Sequence, residues 1–239
     1  QEIHLDGELS EAFWQEANYA DKFWQLFPTD SIKSINNTRV KLVYNDTHLF
    51  IGIEAQAVDE NFIVSSLRRD FSARTNDNVT FLFDTFRDGQ NAFLFGVSAY
   101  GVQREGLISE RGASINGFSL TWDTKWQSEC IRFKDRFVIE MAIPFSSIKY
   151  PEGSQKWGFQ TYRYDLQSNE RSIWTNVDQN QIPINIGYYG ALVFEEPLPA
   201  SKMPIYLIPY VNGIISVPTG TELNYDFDGD GINDGYKII

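Results

Sequence analysis

The sequence predicts an all-β protein, an antiparallel β-sandwich of jelly-roll type with short helical turns at most. Three observations predict it. Apolar and polar residues alternate over many short runs, as strands with one covered face require. The runs come in pairs joined by brief Asn, Asp and Gly turns, which reads as a series of hairpins. Aromatic residues reach 15% of the chain, a surplus that suits a pleated surface.

The opening "IHLDGELSEAFWQEA" reads as a short strand, a turn at Asp6-Gly7 and one helical turn. Ser10 is placed to cap that turn, with Phe13, Trp14 and Ala17 on one face. "TRVKLVYNDTHLFIGIEA" is a hairpin around Asn45-Asp46. Val40, Leu42 and Tyr44 are answered by Leu49, Ile51 and Ile53. In "NVTFLFDTFRDGQNAFLFGV", Val79, Phe81 and Phe83 alternate, the chain turns near Asp88-Gly89, and Phe93, Phe95 and Val97 return. "CIRFKDRFVIEMAIPF" turns at Lys134-Asp135 and points Phe137, Ile139, Met141 and Ile143 inward. "IPFSSIKYPEG" is a corner with a short helical turn. "WGFQTYRYDL" carries Trp157 and Phe159 on one face, and "GYYGALVFEE" closes the set. The proline-rich "EEPLPASKMP" then reads as a linker and domain edge. This divides the chain into a sandwich over 1–196 and an extension over 197–239.

With 239 residues and 42% hydrophobic content, the chain can build a sizeable core. A formal charge of −12 argues against nucleic acid, whose phosphates it would repel. It suits neutral ligands and divalent cations better. There is no apolar run long enough for a membrane-spanning helix. Cys130 is alone, so no intramolecular disulfide forms. Gln1 in first place, instead of Met, is expected of an exported chain that has lost a signal peptide.

Three constellations could carry function. Asp226, Asp228 and Asp230 take positions 1, 3 and 5 of a calcium loop, Gly231 supplies the turn, Ile232 offers a carbonyl, and Asp234 stands at position 9. Lys237 stands where a sensor hand needs glutamate, so a structural Ca2+ is expected, held weakly, on the order of 10⁻⁴ M. The tryptophans come next, since aromatic faces pack the C–H faces of sugar rings. Trp14 and Trp157 follow core periodicity. Trp24 is a candidate, Trp122 and Trp126 sit four apart in a polar setting, and Trp174 is ringed by Asn169, Glu170, Arg171, Asn176 and Gln179. A saccharide site on Trp174, Trp122 and Trp126, with Arg171 and Asn176 bonding hydroxyls, is therefore expected. The plain alternative is that each tryptophan packs a loop onto the sandwich. Last, "LRRDFSARTNDN" gathers Arg68, Arg69, Asp70, Arg74 and Asp77, either a solvated ion-paired loop or a grip for hydroxyls or an acidic sugar. Catalysis is not expected. The only histidines are His4 and His48, and no zinc-protease, nucleophile-elbow or P-loop spacing occurs.

The order of "IHLDGELSEAFW", "VYNDTHLFIGIEA", "NVTFLFDTFRDGQNAFLFGV", "WDTKW", "FVIEMAIPFSSI" and "WGFQTYRY" resembles family 9 carbohydrate-binding modules over roughly residues 1–196. It is similar in particular to the N-terminal module of Bacteroidetes outer-membrane proteins that continue into a β-barrel. The resemblance implies a noncatalytic β-sandwich that binds an oligo- or polysaccharide between two tryptophans, one of them Trp174. It also implies an extracytoplasmic, outer-membrane setting, with "IYLIPYVNGIISV" beginning the barrel. The competing expectation is a scaffold or protein-interaction domain of such a barrel protein that binds no sugar.

Overall fold

The computed structural model describes residues 4–200, all within the first of two units, Gln1–Pro204. In chain order it contains a helical turn α1 (Ala12–Glu16) and strands β1 (Tyr19–Ala20), β2 (Trp24–Phe27), β3 (Thr38–Tyr44) and β4 (His48–Gln56). There follow β5 (Asn78–Asp84), β6 (Ala92–Ser98), β7 (Gln103–Ile108), β8 (Phe118–Ser119) and β9 (Gln127–Arg132). The last are β10 (Arg136–Pro144), β11 (Lys156–Asp165), β12 (Glu170–Ile173) and β13 (Gly190–Val193). They form two antiparallel sheets. The smaller runs β1-β3-β4-β10-β9; the larger runs β2-β12-β11-β5-β6-β7-β8, with β13 also on β11.

The three expected hairpins are present in the expected register. Val40, Leu42 and Tyr44 face Ile53, Ile51 and Leu49. Phe81 faces Phe95 and Phe83 faces Phe93. Ile139 faces Cys130 in the third. The turns of the first two are fixed by local side-chain acceptors: Asn45 Oδ1 takes the N–H of Thr47 and His48, and Asp84 Oδ2 takes that of Gly89. The inner layer is aromatic, with Phe83 meeting Phe95, Trp157 and Phe159 at 6.3, 6.1 and 5.4 Å. Ile51, Ile53, Phe137, Ile139 and Met141 close it from the smaller sheet.

Several local expectations are corrected. Residues 4–9 are not a strand, and α1 begins at an N-cap Glu11 with no side-chain cap bond, so Ser10 does not cap it. The first residues of the expected linker belong to the core: Leu198 is 1% exposed and its N–H bonds Ser154 O, while Tyr150 Oη donates to Pro199 O at 3.0 Å. The larger sheet is also covered on both faces. All seven residues of β5 are buried. A second apolar cluster, including Leu26, Leu82, Leu94, Ile108, Tyr162 and Ile173, lies opposite the first. On the outward face of the smaller sheet, Trp14 packs with Phe50 and Ala142, joined by Leu5, Leu9 and Phe13.

Candidate functional site

The outward face of the larger sheet holds the candidate site. Strand register assembles it. Ile173, Tyr162, Thr80, Gly96 and Arg104 are successive partners across β12, β11, β5, β6 and β7, so they form one row on one face. Gly96 makes room in that row: a Cβ there would meet Arg104 Cγ at 2.8 Å and Thr80 Oγ1 at 2.9 Å. The stem of Arg104 therefore lies flat across β6. A second row pairs Tyr164 with Arg171 and Arg171 with Phe27, and the Arg171 guanidinium sits 5.0 Å from the Phe27 ring.

The loop before β5 walls this face. Asp70 bonds to β7 twice, its N–H to Gln103 O at 3.0 Å and its Oδ1 accepting from Glu105 N at 3.4 Å. Asn78 Nδ2 donates to Ala73 O at 2.9 Å, and Asn76 Nδ2 to Ser72 O at 2.6 Å. These bonds seat Phe71, 3% exposed, against the guanidinium of Arg104. Between this loop, Phe118, and the segment at 182–184 there is a cavity of roughly 300 Å³. An adjoining cavity of roughly 330 Å³ shares Arg74, Tyr164 and Arg171 with it.

The electrostatics are local and uneven. Arg104 is 4% exposed, and its Nε and Nη1 have no hydrogen-bond partner among the described residues. Its sequence neighbour Glu105 cannot serve, because successive strand residues face opposite ways. Glu105 is turned to the inner side, where it pairs with Arg69 and accepts from Trp126 Nε1 at 3.2 Å. Burial pushes the Tyr162 hydroxyl above its usual range, against the opposing pull of the nearby Arg104 charge.

The residues expected from sequence are divided among separate places. Arg171 lines both cavities. Trp174 lies elsewhere: half-buried, it packs on Phe159 at 5.3 Å and lines a groove of roughly 590 Å³ with Tyr19, Tyr44 and Phe194. Asn176 is exposed. Trp122 is half-buried against Phe93 and Phe95, at 5.1 and 5.9 Å. Trp126 is 6% exposed and meets the same Phe95 at 5.5 Å, so its ring is part of the inner layer. Trp24 is covered by the ammonium of Lys33, 3.2 Å from its ring. The structure brings no two of these tryptophans into ring contact among the described residues. Asp226, Asp228, Asp230, Ile232 and Asp234 lie outside the described residues. Arg104, Tyr162, Tyr164 and Phe71 were not singled out by sequence reasoning.

Residues 5–195 match the sequence profile of the carbohydrate family 9 binding domain-like family. Solved structures agree on the fold. A family 9 carbohydrate-binding module from Caldicellulosiruptor kristjanssonii, in complex with cellotriose, superposes with a TM-score of 0.58 at 14% identity, covering 87% of this chain and 96% of that one. A glucose complex of such a module from the same organism gives 0.58 at 14% identity, over 82% and 93%. A protein from Bacteroides uniformis gives 0.62 at 9% identity, over 76% and 88%. No curated protein matches the sequence. The chain belongs to the carbohydrate family 9 binding domain-like family, and its fold is the antiparallel sandwich of those modules.

Proposed function

We propose that this domain is a noncatalytic saccharide-binding module and that the cavity on the outward face of the larger sheet is its site. One observation carries this reading: apolar and aromatic walls converge on a buried guanidinium whose Nε and Nη1 have no partner among the described residues. Sugar recognition needs that combination, ring faces for C–H surfaces and fixed donors for hydroxyls. Family membership and the saccharides held by the two Caldicellulosiruptor modules support it. Among the described residues the cavity is lined by one carboxylate, Asp70, which does not make the carboxylate pair of a glycosidase.

Calorimetric titration with a panel of oligosaccharides tests it. Binding should be lost in Tyr164→Ala and kept in Trp174→Ala. The reverse pattern would favour a second reading, stacking on Trp174 in the groove it shares with Tyr19 and Tyr44. Failure of the folded protein to bind any saccharide would leave the scaffold reading. We further propose an extracytoplasmic, outer-membrane-associated setting with a barrel after the sandwich, and a structural Ca2+ on Asp226, Asp228, Asp230, Ile232 and Asp234. Chelation by EDTA should then lower the melting temperature of the full chain without changing saccharide affinity.

A further inference from the structure

We infer that the saccharide taken by this cavity carries a carboxylate, as a uronate does, and that Arg104 holds it. This rests on the saccharide reading above and adds the charge of the ligand.

A guanidinium offers five donors and no acceptor, and it stays charged at any pH the protein meets. Arg104 is buried with Nε and Nη1 unpartnered. Its guanidinium carbon lies 5.6 Å from the Phe71 ring and 5.3 Å from the Phe118 ring. None of the ion pairs among the described residues involves Arg104, Arg74 or Arg171. The carboxylate nearest in sequence, Glu105, is on the opposite face and already paired. The one carboxylate in the cavity wall, Asp70, accepts from the Glu105 N–H.

The cavity wall thus sets three arginines against one carboxylate, in a chain whose formal charge is −12. A general basic surface does not explain a basic cavity in an acidic protein. A buried charge without a counter-charge is costly, and folded proteins seldom leave one. A neutral hydroxyl entering the cavity would satisfy a donor and leave the charge uncompensated. A carboxylate does both, and its planar oxygens match the guanidinium fork. The rest of the cavity is apolar and aromatic, which suits the C–H faces of a sugar ring that bears the acid.

The test is calorimetry with three probes of one size: trigalacturonate, its methyl ester and cellotriose, with a sulfated disaccharide as a fourth. Trigalacturonate should bind at least about tenfold more tightly than its methyl ester, as charge-assisted hydrogen bonding predicts. That preference should vanish in Arg104→Met and shrink in Arg74→Ala, which is exposed and should leave the fold intact. Melting temperatures of both variants establish that they are folded. Equal binding of acid, ester and cellotriose would overturn the inference and leave the saccharide site standing. Binding of the sulfated probe alone would overturn the carboxylate. No binding of any probe by the folded protein would overturn both the inference and the saccharide reading.

Discussion

Each sheet of the sandwich buries a charge on its outward face, directly across from a glycine, and the two faces treat that charge differently. On the smaller sheet Glu140 pairs with Gly52; on the larger, Arg104 pairs with Gly96. Both glycines clear space. A Cβ on Gly52 would meet Leu9 Cδ2 at 2.7 Å and Trp14 Cζ3 at 3.1 Å. Glu140 is fully buried, yet both its oxygens are occupied: Oε2 accepts from the N–H groups of Asp6 and Gly7, Oε1 from Trp14 Nε1, all at 2.9 Å. The N-terminal segment covers that face around Glu140. On the other face the covering loops stop short, a cavity remains, and Nε and Nη1 of the buried guanidinium have no partner among the described residues. The same device, a glycine opposite a charge, is a structural clamp where the donors are supplied by the chain. It is the binding site proposed above where the chain supplies no acceptor.

The largest expected effect breaks the clamp. Glu140→Ala strands three donors, two of them buried, and should cost about 3–5 kcal/mol in denaturant unfolding, the usual result of removing one side of a buried charged network. Next, Gly52→Ala pushes a methyl group into Leu9 and Trp14 and should cost about 1–3 kcal/mol by overpacking. Arg104→Met should change stability by less than about 1 kcal/mol, or raise it, because no native hydrogen bond is lost. If Arg104→Met destabilised the fold as much as Glu140→Ala, the contrast between the two faces would collapse.

A smaller effect lies in pH. Burial raises the carboxyl of Glu140 above its ordinary 4.5, despite the pull of its three N–H donors. Burial likewise raises Glu170, Asp77 and Asp84, while backbone N–H groups pull the other way. In each case the folded state keeps its proton where the unfolded chain has lost it. Their contribution to stability is therefore full below the ordinary carboxylate range and is lost as pH rises through the raised values. Asp88, lowered by bonds from Gln90 and Asn91, acts in the opposite sense. Urea midpoints should rise modestly from pH 7 toward pH 5, and Glu140→Gln should flatten part of that slope. A midpoint that falls steadily over the same range would show that the buried carboxylates do not govern it.

The hairpins were legible because alternation and turn chemistry are local. Val40, Leu42 and Tyr44 announce their face without help from distant residues, and the structure keeps it. The site was not legible for the same reason. Arg104 stands beside Glu105, so in sequence the two look like a solvated pair; only strand parity separates them, and only register sets Arg104 across from Gly96. Tyr162 and Tyr164 did carry a signal. If Trp157 and Phe159 point inward, the two tyrosines point outward, which already implies a sheet covered twice. The polar neighbours of Trp174 did not reveal that its ring packs on Phe159, since local polarity reports the loop around a residue and not the layer its ring meets. In the loop Asp70–Arg74, a mixed-charge stretch hid Phe71, the one residue of it most deeply placed over the cavity.

The position of Arg104 has a consequence for how a ligand would be felt by the rest of the molecule. Its stem crosses β6, and its row continues through β5 and β11, whose amides are bonded on both sides. Such amides exchange with solvent hydrogen only when the whole domain opens. A ligand held there adds its binding energy to that opening, so protection should increase by one common factor across all the central strands. Ligand seated on the surface loops alone would instead slow exchange in the loops and leave the strands unchanged.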